Sequence, residues 1–278
     1  MDVIVSQAGF RCIMTYGVLD GLDYAFEAAK IRGVKVIAIV WLDTDTSVNE
    51  ASITRGIQKA GRYPDTIIRI SCGSEVRLRH GVTVAEPIIR NCVQRFREAG
   101  VTQPVGYIDT WWEWCNAAWP CQQWTLANDV DWIGINVFPW WENKYSGLFT
   151  CTTAVEAPDF HIARFQDLIV RYSQKEVILT EFGWPSCPEG YSEENQYTGE
   201  RCGIASEVNQ FLVVEETLSK LERSGLSGVV FEAFREPWKA RKEGAVGPCW
   251  GICEGTPPYT CKFPYGFRQR LYLPLVFK

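Results

Sequence analysis

Seven short runs, at residues 12–16, 34–42, 66–71, 105–108, 132–137, 177–180 and 228–234, are continuously apolar rather than alternating, and they constrain this chain more than any other feature. A strand with one wet face alternates, whereas a strand buried on both faces reads as an unbroken apolar run. Between these runs lie helical patterns at 22–31, 51–60, 84–99, 160–172 and 205–224. Strand alternating with helix implies a parallel sheet covered by helices. With 278 residues, 46% of them hydrophobic, the chain is long enough for one large core, and no linker or low-complexity run divides it. A single domain over 1–278 is expected, with a cysteine-rich segment from about 244 to 278. Periodicity alone leaves a closed barrel and an open doubly wound sheet both standing. The absence of a G-x-G-x-x-G turn after any run weakens the nucleotide-binding version of the open sheet.

The sixth run, in VILTEFGWPS at 177–186, ends on Glu181 and then breaks at Gly183 and Pro185. A carboxylate at the C-terminal tip of a buried strand is where a barrel enzyme holds an acid or a nucleophile. Taken alone, Glu181 fits a helix N-cap or loop carboxylate equally well. TIIRISCGSEV at 66–76 repeats the design, with a β-branched run, a glycine and then Glu75. Two such carboxyls suit glycosidic cleavage, one protonating the leaving oxygen while the other attacks or activates water. No G-x-S-x-G elbow offers a serine-hydrolase alternative. Trp111, Trp112, Trp114, Trp140, Trp141, Trp184 and Trp238 fall just beyond predicted strand ends, where flat sugar faces could stack on their rings; each alone fits core packing as well. His80 and His161 lie away from these motifs and are not expected to be catalytic.

TEFGWPS resembles the strand-seven signature of glycoside hydrolase family 17, the β-1,3-glucanases, commonly written ETGWPS or EVGWPS, and GSEV resembles its strand-four signature GNEV. Other segments follow in order. TYG at 15–17 resembles the early R-x-YG strand end, VKVIAIVWL at 34–42 the third strand, and SEVRLRHGVTVAEPI at 74–88 the bacterial NEVLLRGDLTVEELI. VDWIGINVFPWW at 130–141 resembles the sixth strand, while VFEAFREPWK at 230–239 with VGPCWG at 246–251 resembles FFEAFDEPWK and GPHWG. The resemblance implies an α/β fold, a (β/α)8 TIM-type barrel, and a retaining glycoside hydrolase acting on β-1,3-glucan. It implies Glu75 as general acid and base and Glu181 as nucleophile. It also implies sugar contacts from Tyr16, Ser74, Asp109, Trp111, Asn136, Trp140, Trp141, Trp184, Glu232, Glu236 and Lys239, with no metal and no cofactor.

Three positions depart from the family. Ser74 replaces the usual Asn before the acid, and a hydroxyl reaches less far toward the sugar 2-hydroxyl. Arg235 replaces the usual Asp beside Glu236. Only residues 1–9 precede the R-x-YG-like strand, so the first βα unit is expected to be clipped from this chain or missing from the barrel. The competing activities are a β-1,3-glucanosyltransferase on the same site and a catalytically impaired glucan-binding protein.

A net charge of −5 argues against a nucleic-acid partner, and no run reads as a membrane span. The expected partner is a β-glucan, and the expected state a monomer. Residues 1–10 lack the regions of a signal peptide. Of eleven cysteines, Cys12, Cys72 and Cys92 fall in predicted strands or a helix and read as buried thiols. The other eight fall in loops, an even set that favours disulfides and a secreted or cell-wall location. A bridge between Cys187 and Cys202 is expected, with at least one more among Cys249, Cys253 and Cys261. Zinc is the rival reading of that last group, disfavoured by only two histidines, neither nearby.

Overall fold

The computed structural model describes residues 1–118, 120–147 and 151–263. Seven parallel strands form one sheet in chain order: β1 (Cys12–Thr15), β2 (Lys35–Val40), β3 (Ile67–Ser74), β4 (Val105–Thr110), β5 (Trp132–Asn136), β6 (Glu176–Phe182) and, last, β9 (Gly228–Val230). Two short strands in the loop after β6, β7 (Glu193–Glu194) and β8 (Arg201–Cys202), pair antiparallel. Seven parallel strands with flanking helices are the TIM-type α/β fold: the alternation of runs predicted the parallel sheet, and the family resemblance the barrel. Residues 264–278, most of the cysteine-free end of the predicted C-terminal segment, lie outside the described residues.

The chain forms two compact units. The first comprises Met1, Arg11–Asn136 and Asp167–Ile178. Strands β2 to β5 are buried almost end to end, as their apolar sequences require, with β2 exposed only at Lys35 and β5 buried throughout, whereas β1 is half-buried up to Thr15. Trp132 lies across the neighbouring strand, its indole N–H donating to Ile70 O at 3.2 Å. A Cβ at Gly106 would sit 2.4 Å from that indole, so β4 must carry a glycine there. Helix Val82–Glu98 covers this unit by burying Ala85, Ile89, Cys92, Val93 and Phe96, one face of a 3.6-residue period. Helix Thr46–Arg62 starts at Asp45, whose carboxylate accepts from the amides of Ser47 and Val48.

The second unit comprises Asp2–Phe10, Val137–Gln166 and Leu179–Lys278. Its core gathers Trp140, Trp184, Trp250, Ala157, Ala205, Val213 and Val246, with Phe138, Trp141 and Phe231 packed against it. Helix Glu207–Arg223 begins at Ser206, which accepts from the Asn209 amide at 3.0 Å, and buries Val213, Val214, Leu218 and Leu221.

Five disulfides overturn part of the cysteine reading. Cys72 and Cys92 are bridged, not free: the buried face of helix Val82–Glu98 brings Cys92 to β3, with Cα atoms 5.8 Å apart. Cys187 pairs with Cys249, and Cys202 with Cys151, so the expected Cys187–Cys202 bridge does not form. Cys115–Cys121 and Cys253–Cys261 complete the set, and Cys12 alone is free. Closing the 20-residue loop between Cys72 and Cys92 is worth about 3 kcal/mol in the chain-entropy model. Thiol titration of the unfolded, unreduced protein should find one reactive thiol among eleven cysteines; three or more would break the assignment.

Candidate active site

In the first unit, β3 ends at Ser74 and the backbone turns sharply. Gly73 has φ +95° and Glu75 sits in the left-handed region at φ 55°, ψ 31°. A glutamate pays a steric cost there, the kind of local strain that clusters at functional sites. Its amide donates to Ile108 O at 2.9 Å, tying the turn to β4. The half-buried Glu75 carboxylate accepts from Asn136 Nδ2 at 2.8 Å, so the amide at the end of β5 orients it. Arg79 fixes the same turn, donating to Ser74 O at 2.6 Å and Leu42 O at 2.9 Å while lying over Trp41. Burial raises the Glu75 pKa above the ordinary carboxyl range, partly offset by the Asn136 bond and the Arg79 charge. This carboxyl holds its proton to higher pH than a solvated one, as a general acid must.

Asp109, predicted to contact sugar, has no exposed surface. Its carboxylate accepts from the Tyr107 hydroxyl and the Thr110 amide and turns no surface to solvent. Asn136 is likewise buried, and its side chain serves Glu75. Ser74 is buried as well, with its carbonyl held by Arg79. Trp111 is buried against Trp112, whereas Tyr16 is 36% exposed. Tyr107 and Arg79 went unnoticed in the sequence because a tyrosine inside a strand and an arginine in a short helix carry no local signature of what they touch.

In the second unit, Glu181 lies near the C-terminal end of β6, 6% exposed, and its carbonyl accepts from the Val137 amide at 2.9 Å. Gly183 follows because a Cβ there would meet Phe231 O at 2.3 Å. Glu232 and Lys239 form a buried ion pair, and Lys239 Nζ also reaches Glu236 Oε2 at 2.9 Å. Burial pushes the Glu232 carboxyl up to about 8 against the pull of Lys239. The expected last-loop cluster of Glu232, Glu236 and Lys239 is thus assembled in space. His161 is fully buried beside Thr217, and burial pushes its pKa down to about 3.

The profile of the BtgE/BtgC glycoside hydrolase domain matches residues 1–251. The chain belongs to that family. A Schizosaccharomyces pombe glucan 1,3-beta-glucosidase is 29% identical over 192 residues, covering 67% of this chain and 54% of that protein. Among solved structures, an active-site mutant of Rhizomucor miehei beta-1,3-glucanosyltransferase in complex with laminaritriose superposes with TM-score 0.71 at 18% identity, over 92% of this chain and 87% of that one. An endo-laminarinase from Formosa gives 0.74 at 17% identity, over 90% and 76%. The chain spans 33, 41 and 38% of the lengths of three fungal relatives that it matches.

Within this BtgE/BtgC domain, two of the expected aromatic platforms take another role. Trp140 and Trp184 are 1% and 0% exposed and pack edge to face at 5.2 Å, with Trp184 Nε1 donating to Ile204 O. Buried rings cannot lie under a sugar, so both belong to the core. Trp141 keeps a half-buried ring stacked on Tyr145. Replacing Trp184 with Ala should therefore cost about 3–5 kcal/mol of stability, read as a lowered denaturation midpoint. A stable variant that has lost only sugar affinity would return Trp184 to the binding surface. Arg235, the charge-reversed position, faces Glu254 at 3.5 Å and the Cys187 sulfur at 3.4 Å, while Glu236 answers to Lys239.

Proposed function

We propose that this domain is a family 17 glycoside hydrolase that acts on β-1,3-glucan with retention of configuration, Glu75 serving as general acid and base and Glu181 as nucleophile. The observation that carries the reading is Glu75 itself, a carboxyl held in a strained turn at a strand tip, oriented by Asn136 and biased by burial toward its protonated form. Glu181 ends another strand of the same parallel sheet, as the catalytic residues of barrel enzymes do.

In the first step the Glu181 carboxylate attacks the anomeric carbon, the bond to the leaving oxygen breaks, and the Glu75 proton passes to that oxygen. In the second, Glu75, now a carboxylate, takes a proton from an incoming hydroxyl that attacks the anomeric carbon and frees Glu181. Water as acceptor gives hydrolysis, and a second glucan gives transglycosylation. The names of the relatives favour β-1,3-glucan as the substrate, and five disulfides favour a secreted or cell-wall location. No described helix is long and apolar enough to cross a membrane.

The test is incubation with laminarioligosaccharides, with product sizes and the anomeric configuration of new ends followed by NMR. Shorter products of retained configuration are expected, joined by longer ones if transfer competes with water. Inverted products, or none while the sugar still binds, would overturn the reading.

A further inference from the structure

Asp109 is a carboxyl that the proposed chemistry leaves without a task. It is fully buried, and among the described residues no cation pairs with it. Its place is set by β-sheet register. Ser74, the last residue of β3, pairs with Ile108 on β4; the next residues are Glu75, in the turn that leaves β3, and Asp109, still on β4. One Asp109 oxygen accepts from the Thr110 amide at 2.8 Å and the other from the Tyr107 hydroxyl. That hydroxyl accepts from the Arg77 amide at 3.1 Å, which leaves its own hydrogen directed at Asp109. The charged groups around the two carboxyls do not neutralise Asp109. Arg77 pairs with Glu113 at 2.6 Å, and Glu113 adds negative charge near Asp109. Arg79 acts on Glu75, and Asn136 is neutral.

A fully buried carboxyl with no cation of its own cannot readily ionise beside a second, half-buried carboxyl that is already charged. We propose that Asp109 is a positioning residue for the catalytic proton, coupled to Glu75 and held by Tyr107, keeping its own proton while Glu75 gives and takes one. The inference rests on the reading of Glu75 as acid and base. Burial, and then the charge of Glu75, push the Asp109 carboxyl up to about 8, with the Tyr107 bond pulling the other way. The order of ionisation follows. Glu75, half-buried, bonded by Asn136 and facing the Arg79 charge, loses its proton first, and Asp109, fully buried without a cation, ionises only against an already charged Glu75. During glycosyl-enzyme breakdown Glu75 can therefore act as the sole base, without a second anion adding to the desolvated charge.

The experiment is a carboxyl-carbon NMR titration of Glu75 and Asp109 in the intact protein, without substrate. In the wild type the Glu75 signal should move in two steps, the second coinciding with ionisation of Asp109. Asp109→Asn should abolish the second step and leave the first in place, because an amide reproduces the neutral neighbour. Tyr107→Phe removes a bond that favours the ionised form, so the second step should move to higher pH by about one unit. This variant also keeps the test open if Asp109→Asn fails to fold. A purely structural Asp109 would leave the Glu75 curve single-stepped in the wild type, and that result, or a second step persisting in Asp109→Asn, overturns the proposal. Turnover is scored separately: failure to cleave any glucan removes the function, whereas a one-step titration removes the pair.

Discussion

Glu181→Gln should abolish turnover while leaving glucan bound. The amide has nearly the shape of the carboxylate but cannot form the glycosyl ester, so kcat should fall by roughly four to six powers of ten. Glu181 is 6% exposed at the end of a buried strand, and the substitution removes a negative charge without opening a cavity. Calorimetry with a laminarioligosaccharide should find affinity within about tenfold of the wild type, since the remaining contacts persist. A variant that retains a tenth of its turnover would mean that the covalent bond is made elsewhere.

Glu75→Ala should separate substrates by leaving group. An activated aryl glucoside departs without a proton, so its glycosylation step should be largely spared. A natural β-1,3-glucan should lose about 10²–10⁴-fold, the usual contribution of a positioned acid. Azide should then accelerate breakdown of the glycosyl enzyme, because without the base water is poorly activated. The alkaline limb of the native pH profile can be assigned a direction. Burial raises the Glu75 pKa, so the protonated form needed for the first step survives to higher pH than for a solvated glutamate and is lost as pH rises through that value. Equal losses on both substrates, with no response to azide, would remove Glu75 from the acid and base role.

The strands, and the placement of Glu75 and Glu181 at strand ends, were legible in the chain because their signals are local. An unbroken β-branched run has to be buried on both faces, and a glycine beside a glutamate at its end marks the turn that β3 makes at Gly73 and Glu75. That the eight loop cysteines are bridged was legible, but which pairs form was not, since pairing depends on which elements meet. Cys92 looks like any apolar helix position until the buried face of its helix is seen to rest on β3. The tryptophans failed for a related reason. Trp140, Trp141 and Trp184 all follow strand ends, and only the packing of the second unit decides that two of them fill the core while Trp141 keeps a partly open ring. Asp109 was located correctly at a strand tip, but the partner that fixes its role, Tyr107, lies two residues earlier on the same strand, where alternation of side chains places both on one face.

Gln210 binds three backbone carbonyls with one amide, donating to Trp184 O and Trp250 O at 2.9 Å and to Cys249 O at 3.2 Å, while its own carbonyl accepts from Lys262 Nζ at 3.1 Å. It belongs to helix Glu207–Arg223, on the outer layer where barrel folds ordinarily tolerate the most drift. Here that tolerance is withdrawn. The helix acts as a jig for the segment that follows Glu181, so its first turn can neither slide nor rotate without dragging three peptide groups along. Substitutions on its outward side can accumulate freely, but an insertion or deletion before Val213 would be inherited by the loop after Glu181 as a misalignment, at a place no scan of site residues would inspect.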